Sequence, residues 1–387
     1  MSKSSDILII GAGLAGLSAA ITAQAAGAEV RVIEASDRTG GRVASDVIDG
    51  FICDRGFQLI NSKYPALVEL NIISELDFIE APRVIEVAVG DTRQVIGDPR
   101  QMPWTVFNRA TGSIPEKIFL LRFVLGTAKS GESIGKALRG CGLTYERVLR
   151  PFLQGVFLID PDEVDAKYGQ SIIKSFVNGS LGVPQKGVGQ LATALAKRVS
   201  TIEYNTRVEQ LDANVVYTSS GNFIADKILI ATDATTATQL LGLNEIPRMT
   251  GCITWYHNAN ENPSGTGRLL VDGQNRGPVI NSVVMSDISP SYAPKGAHLV
   301  ATTTGLGVTE SDVRRHLSII WGVSTHAWQL IAKYEIAAAL PVQSVGRTLS
   351  QSMKINEHYF VAGDHRTVPS QQGALFSGRL AAQLMLD

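Results

Sequence analysis

Three groups of residues have the types and spacing to do chemistry, and the first lies at the start of the chain. An apolar run from Ile7 to Ile10 leads into Gly11-x-Gly13-x-x-Gly16, and a second, from Glu29 to Ile33, ends in Glu34. Gly11 permits a tight turn, Gly13 lets backbone N–H groups approach a pyrophosphate where Leu14 and Ala15 open a helix, and Gly16 lets that helix lie close to the strand. Glu34 can accept hydrogen bonds from both ribose hydroxyls and would repel a 2′-phosphate, which disfavours NADP. The second group follows at once: Glu34-Ala35-x-x-Arg38-x-Gly40-Gly41-Arg42. NAD needs no such extension. A flavin adenine dinucleotide is longer, and a second glycine turn with Arg42 can hold its pyrophosphate and ring end through backbone N–H groups and charge.

The third group is near the other end, in Tyr359 to Ala382. Tyr359 to Ala362 read as a strand, Gly363 turns, and Asp364 offers a carboxylate to ribityl hydroxyls. A helix begins near Gly373, and its small residues Gly373, Ala374, Ser377, Gly378 and Ala381 share one face at helical spacing. The N-terminal end of that helix favours negative charge on a bound ligand.

The elements that must position these groups are strands and helices in alternation, a pattern of α/β class. At 387 residues and 44% hydrophobic, the chain exceeds the roughly 250 to 300 residues at which single cores stop growing, so two domains are expected. With 37 glycines against a roughly 7% average, the backbone is suited to close approach to a ligand. Net charge is −1, which argues against nucleic acid as a partner. Cys53, Cys141 and Cys252 are too few and too scattered for a disulfide framework or metal site, pointing to a reducing, cytoplasmic setting. The uncharged stretch Ile7 to Ala28 is long enough to suggest a membrane span. Its three glycines and Ser18, Thr22 and Gln24 speak against one, because a broken helix would meet lipid. Gly187-x-Gly189 lacks a preceding apolar strand and a spaced acid, so no second nucleotide site is expected.

Taken together, the two terminal motifs resemble those of the flavin amine oxidase and phytoene desaturase superfamily, which includes protoporphyrinogen oxidases and renalase-like oxidases. Weaker matches lie between them: Pro184-x-x-Gly187-x-Gly189-x-Leu191, Asn205 to Val208, and Ile228 to Thr232. The resemblance implies a Rossmann-like FAD-binding domain of glutathione reductase-like, amine oxidase type, carrying an inserted α+β substrate domain. The nucleotide domain would be discontinuous (1–60, 184–248 and 341–387), with 61–183 and 249–340 forming the substrate domain. It further implies FAD contacts at Gly56, Phe57, Gln58, Val208, Ala231, Thr232, Gly363, Asp364, Gln372, Gly373 and Ala374. No cysteine falls in the closing motif, so the FAD is expected to be non-covalent.

The implied activity is hydride removal from a C–N or C–C bond of a small to medium, apolar substrate, with oxygen or a quinone as acceptor. Isoprenoid desaturation or isomerisation, protoporphyrinogen oxidation, and a non-catalytic flavin sensor remain as alternatives. Two departures bear on the substrate. Amine oxidases of the family place an aromatic residue three positions before the closing Gly-Ala pair, where this chain has Ser370. They usually carry a lysine just ahead of the strand resembling Cys252 to Tyr256, where this chain has Thr250 and Gly251. His365 is the best-placed histidine for orienting substrate or exchanging a proton. Two apolar stretches, Pro103 to Phe107 and Ile118 to Leu125, fit a deep cavity, a core helix or a peripheral membrane contact.

Overall fold

A computed structural model describes residues 3–98 and 100–387. Met1 and Ser2, in the expected 1–60 segment, and Pro99, in the 61–183 segment, lie outside the described residues.

The nucleotide half is built on a parallel sheet. Strand Lys3–Ile10 lies between Val30–Ile33 and Gly221–Ile230, with Ile202–Glu203 beyond Val30–Ile33. Their apolar ends Ile7–Ile10, Val32–Ile33 and Ile228–Ile230 are buried on both faces, as parallel strands covered by helices must be. Strand Gly221–Ile230 is long enough to take two partners on its other edge. Its first half pairs with Val215–Thr218, and its last three residues pair with Tyr359–Val361 from near the chain's end.

Helix Leu14–Ala25 covers one face, and the closing helix Gln371–Leu386 crosses it. The crossing is close because a Cβ on Gly378 would sit 1.9 Å from the Ala15 carbonyl oxygen. Ser18 Oγ donates to the Leu375 carbonyl across this contact at 2.8 Å. The closing helix starts at Gln371, capped by Ser370, two residues before the start expected at Gly373.

A second sheet of seven strands is mostly antiparallel. Its order runs Gln329–Pro341, Met249–Ala259, His298–Thr304, Val279–Val284, Leu269–Asp272, Val84–Val89, Thr92–Gly97. Met249–Ala259, His298–Thr304 and Val279–Val284 pair antiparallel at its centre. Segments on either side of Gly187 meet in it, since Val84–Val89 pairs in parallel with Leu269–Asp272. A helical subdomain packs beside this sheet around Ile134, Leu153, Phe157 and Tyr168. Among the described residues, no helix is long and apolar enough to cross a membrane.

Candidate functional site

Each of the sequence-derived groups converges on the ends of the parallel strands. Gly11 has a positive φ of 103° and turns the chain out of its strand. Gly16 admits no side chain, since a Cβ there would lie 2.0 Å from the Gly11 carbonyl oxygen. At Gly13 an added Cβ would meet nothing within 4 Å, and no side chain caps the helix that Leu14 opens. The first-turn amides therefore face open space beside a positive helix end, a donor set suited to a pyrophosphate.

Glu34 is tied into this turn. One carboxylate oxygen accepts from the Ala12 amide at 2.8 Å, and the other accepts from the Ser36 amide and hydroxyl at 2.9 and 2.8 Å. These bonds orient the carboxylate while leaving lone pairs for ribose hydroxyls. Ala35 is exposed beside it. The second glycine turn is docked on the first, with Gly40 N–H donating to the Ala12 carbonyl at 2.9 Å. Gly41 lies 3.8 Å from the Gly13 Cα when given a Cβ. Arg38 turns back to its own loop, donating to the Thr39 and Gly41 carbonyls. Burial and the nearby Arg55 hold its guanidinium below its ordinary pKa.

Arg42 reaches across to the far end of the chain. Its guanidinium donates to Asp364 Oδ1 at 2.6 Å and to the Ala339 carbonyl at 2.7 Å. Burial opposes its charge, yet the Asp364 carboxylate more than offsets this and raises the pKa above the ordinary arginine value. Gln58 donates to the Arg42 carbonyl at 2.9 Å and accepts from Gln371 at 3.3 Å. The Gly56-Phe57 turn rests on the second sheet: Phe57 N–H donates to Thr254 Oγ1 at 3.2 Å, and a Cβ on Gly56 would come within 3.0 Å of Ile336. Gln372 accepts from the Ala66 amide at 3.0 Å, and Gly373 donates to Ser370 Oγ at 3.0 Å. Ala374 accepts from Ser377, whose hydroxyl also accepts from Gly363 N–H at 2.9 Å. Ala231 backs the first turn, its carbonyl 2.8 Å from where a Gly11 Cβ would stand, with Thr232 next in line.

Two residues stand apart. Val208 packs on the apolar side of the sheet with Leu8 and Ile33, two residues past Thr206, whose N–H donates to the Glu34 carbonyl at 2.8 Å. His365 is buried and lines a cavity of about 550 Å³ with Arg347 and Arg366, beyond Asp364. Burial lowers its pKa to about 4, with Asp364 opposing, so the ring is neutral at pH 7.

Sequence reasoning missed a buried polar network beneath this site. Asp54 is fully buried and accepts from Ser45 Oγ at 2.5 Å, Val188 N–H at 3.0 Å and Tyr292 OH at 2.9 Å. Tyr256 OH donates to the Asp54 carbonyl at 3.0 Å. Burial pushes the Asp54 carboxyl up to about 6 despite these donors. Its only sequence signal was its place just ahead of the Gly56 turn.

A family model described as flavin containing amine oxidoreductase matches residues 14–386. The chain belongs to that family. Flavin is thus the family's cofactor, and the uncapped Gly13 turn, Glu34 and Asp364 supply donors and acceptors that fit one. A hydroxysqualene dehydroxylase of Sinorhizobium fredii is 25% identical over 248 residues, 59% of this chain and 60% of that protein. Another, from Rhodopseudomonas palustris, is 29% identical over 44% of this chain and 43% of its own length. The matched part thus spans less than two thirds of either relative. The crystal structure of an oxidoreductase from Methanosarcina mazei superposes with a TM-score of 0.78 at 17% identity, covering 98% of this chain and 99% of that one. The expected α/β fold of amine oxidase type is therefore the observed one. Against other flavin-containing amine oxidoreductases, the two departures named above gain a physical reading. A Cβ at Gly251 would lie 2.7 Å from Leu306 Cδ1 and 2.9 Å from two strand carbonyls, so no lysine side chain fits there without a shift. Ser370 serves as a helix cap rather than an aromatic wall.

Proposed function

We propose that this chain binds FAD non-covalently and takes a hydride equivalent from a C–H bond of an apolar substrate of isoprenoid class. The absence of room for a lysine at Gly251 is the observation that carries this choice over amine oxidation. The similarity to hydroxysqualene dehydroxylases supports the same class of substrate. In this reading 1–60, 184–248 and 341–387 hold the nucleotide, and 61–183 and 249–340 shape the substrate cavity, in a cytoplasmic protein. Gly11, Gly13, Leu14, Ala15, Gly16, Gly40 and Gly41 cradle the pyrophosphate, Glu34 takes the adenosine ribose, and Arg42 with Asp364 holds the ribityl end.

A bound flavin would supply the electron sink for hydride removal, with oxygen or a quinone as the acceptor. The chain's own residues orient and desolvate. The closing helix turns its positive N-terminal end toward developing negative charge, with the Gly373 amide held by the Ser370 cap, and the Gly56-Phe57 turn is braced on Thr254 and Ile336. His365, neutral at pH 7, is not an acid there, and its backbone carbonyl accepts from Arg347 at 2.9 Å. Anaerobic bleaching of the flavin tests the reading. Polyprenes that bleach it while mono- and polyamines do not is the expected outcome, and rapid bleaching by an amine alone overturns it.

A further inference from the structure

We propose that the outer face of helix Ile114–Leu125, together with Trp104 and Phe107, docks the protein on an anionic lipid bilayer. This goes beyond the flavin chemistry and does not depend on which bond is oxidised. Ile114, Ile118, Leu121 and Leu125 are 45, 45, 56 and 76% exposed. Their spacing of four, three and four residues puts them on one stripe of the helix. Leu120, Phe123 and Val124 point the other way and pack on the helical core around Leu153 and Phe157. A helix on the surface of a soluble domain is ordinarily polar on its outer side. This one is apolar on both sides, and only one of them is covered within the chain.

The stripe does not stand alone. Trp104 and Phe107, in the turn just before the helix, are 63 and 70% exposed. Phe107, Ile114, Pro115 and Leu143 line a shared, largely apolar hollow of about 600 Å³ that joins the turn to the helix start. The turn is fixed to the helix by Lys117, whose ammonium donates to the Val106 and Asn108 carbonyls at 2.8 and 2.7 Å. Aromatic rings held rigidly beside an apolar stripe suit the headgroup boundary of a membrane.

Charge selects the occupant. Residues 98–140 hold seven Lys or Arg against Asp98, which pairs with Arg100, and two Glu, a net +4, while the whole chain carries −1. Six of the seven bases, Arg109 and Arg122 among them, are exposed. Glu116 is turned inward onto the Ser113 and Leu143 amides at 2.7 and 3.2 Å, so its charge is partly spent inside the fold. A second copy on this face would oppose two basic rims, whereas anionic headgroups complement one. The geometry is that of a protein lying on the surface, with the apolar stripe at acyl depth and the bases among the headgroups.

The test uses the full-length, flavin-loaded protein and vesicles of phosphatidylcholine, alone or equimolar with phosphatidylglycerol. The wild type is expected to cosediment with the mixed vesicles, weakly with phosphatidylcholine alone, and less as salt is raised. Replacing Leu121→Asp and Leu125→Asp together should lower partitioning by about tenfold or more, with flavin content and melting temperature unchanged because both side chains face solvent. Brominated lipid should quench tryptophan fluorescence in the wild type, and Trp104→Phe should remove that quenching while binding persists. Failure of the wild type to cosediment, or equal binding by the double variant, overturns the proposal. A wild type that dimerises through this face, with no vesicle binding, overturns it in favour of self-association.

Discussion

Arg42 and Asp364 meet at 2.6 Å although 322 residues separate them in sequence. The pair joins the second glycine turn to the turn before the closing helix, and Arg42 simultaneously reaches the second sheet at Ala339. Replacing Asp364→Ala leaves a partly buried guanidinium without its carboxylate and removes an acceptor for the ribityl chain. FAD affinity of the apoprotein should fall by about 1 to 3 kcal/mol. Titration calorimetry checks this, and unchanged affinity would remove Asp364 from the site.

Gly13→Val places a branched side chain in the open space above the first helical turn, where the pyrophosphate would sit. Glu34→Ala removes the acceptors for the ribose. Either protein should purify colourless yet folded, because a Cβ at position 13 meets no protein atom. Gly378→Ala differs in kind. Its Cβ would press on the Ala15 carbonyl, so the expected result is loss of stability, on the order of 1 to 3 kcal/mol from overpacking, read by urea unfolding with and without flavin.

Three buried groups set the response to acid. His257 and His365 have folded pKa values near 4, both lowered chiefly by burial, below the ordinary histidine value of 6.5. Between those values the unfolded chain binds more protons, so stability is lost as pH falls from 6.5 to 4, on the order of 3 kcal/mol per group. Asp54 works the other way. Its carboxyl, raised by burial to about 6, holds a proton in the folded state that the unfolded chain releases above 3.8. That group favours folding at low pH, and its contribution is lost as pH rises through 6. Unfolding free energies measured from pH 4 to 7 should therefore fall more steeply on acidification in Asp54→Asn than in the wild type. In His257→Gln they should fall less steeply. Parallel curves for all three proteins would contradict the assignment.

His316 and Asp272 form a buried hydrogen bond in the second sheet region, with Nε2 to Oδ2 at 3.0 Å and the opposite ring nitrogen accepting from Val279 N–H. Although burial opposes ionisation, His316 and Arg276 hold the Asp272 carboxyl well below its usual range. His316→Ala removes one donor from a carboxylate that Arg276 and the Gln274 amide still hold, and should cost about 1.5 to 3 kcal/mol of stability, read by urea unfolding.

What the sequence made legible is what local backbone geometry dictates. Gly11, Gly13, Gly16 and Glu34 fall within one strand-helix-strand unit, and their roles follow from short-range spacing. The turn at Gly363 is legible for the same reason. The Arg42 to Asp364 pair, the Asp54 network with Ser45 and Tyr292, and the pairing of Val84–Val89 with Leu269–Asp272 were not. Each depends on tertiary packing between distant segments, which leaves no periodic trace in either partner. The closing helix begins at Gln371 because Ser370 caps it, and a single capping hydroxyl adds nothing to the spacing of small residues from Gly373 onward.

The two-partner strand Gly221–Ile230 has a consequence for biosynthesis. Its last three residues wait for Tyr359–Val361, and the helix that follows must then seat Gly378 against Ala15. A nascent chain emerging from the ribosome can thus finish its second sheet while the phosphate cradle at its own beginning is still unroofed. Flavin capture therefore follows synthesis of the closing helix.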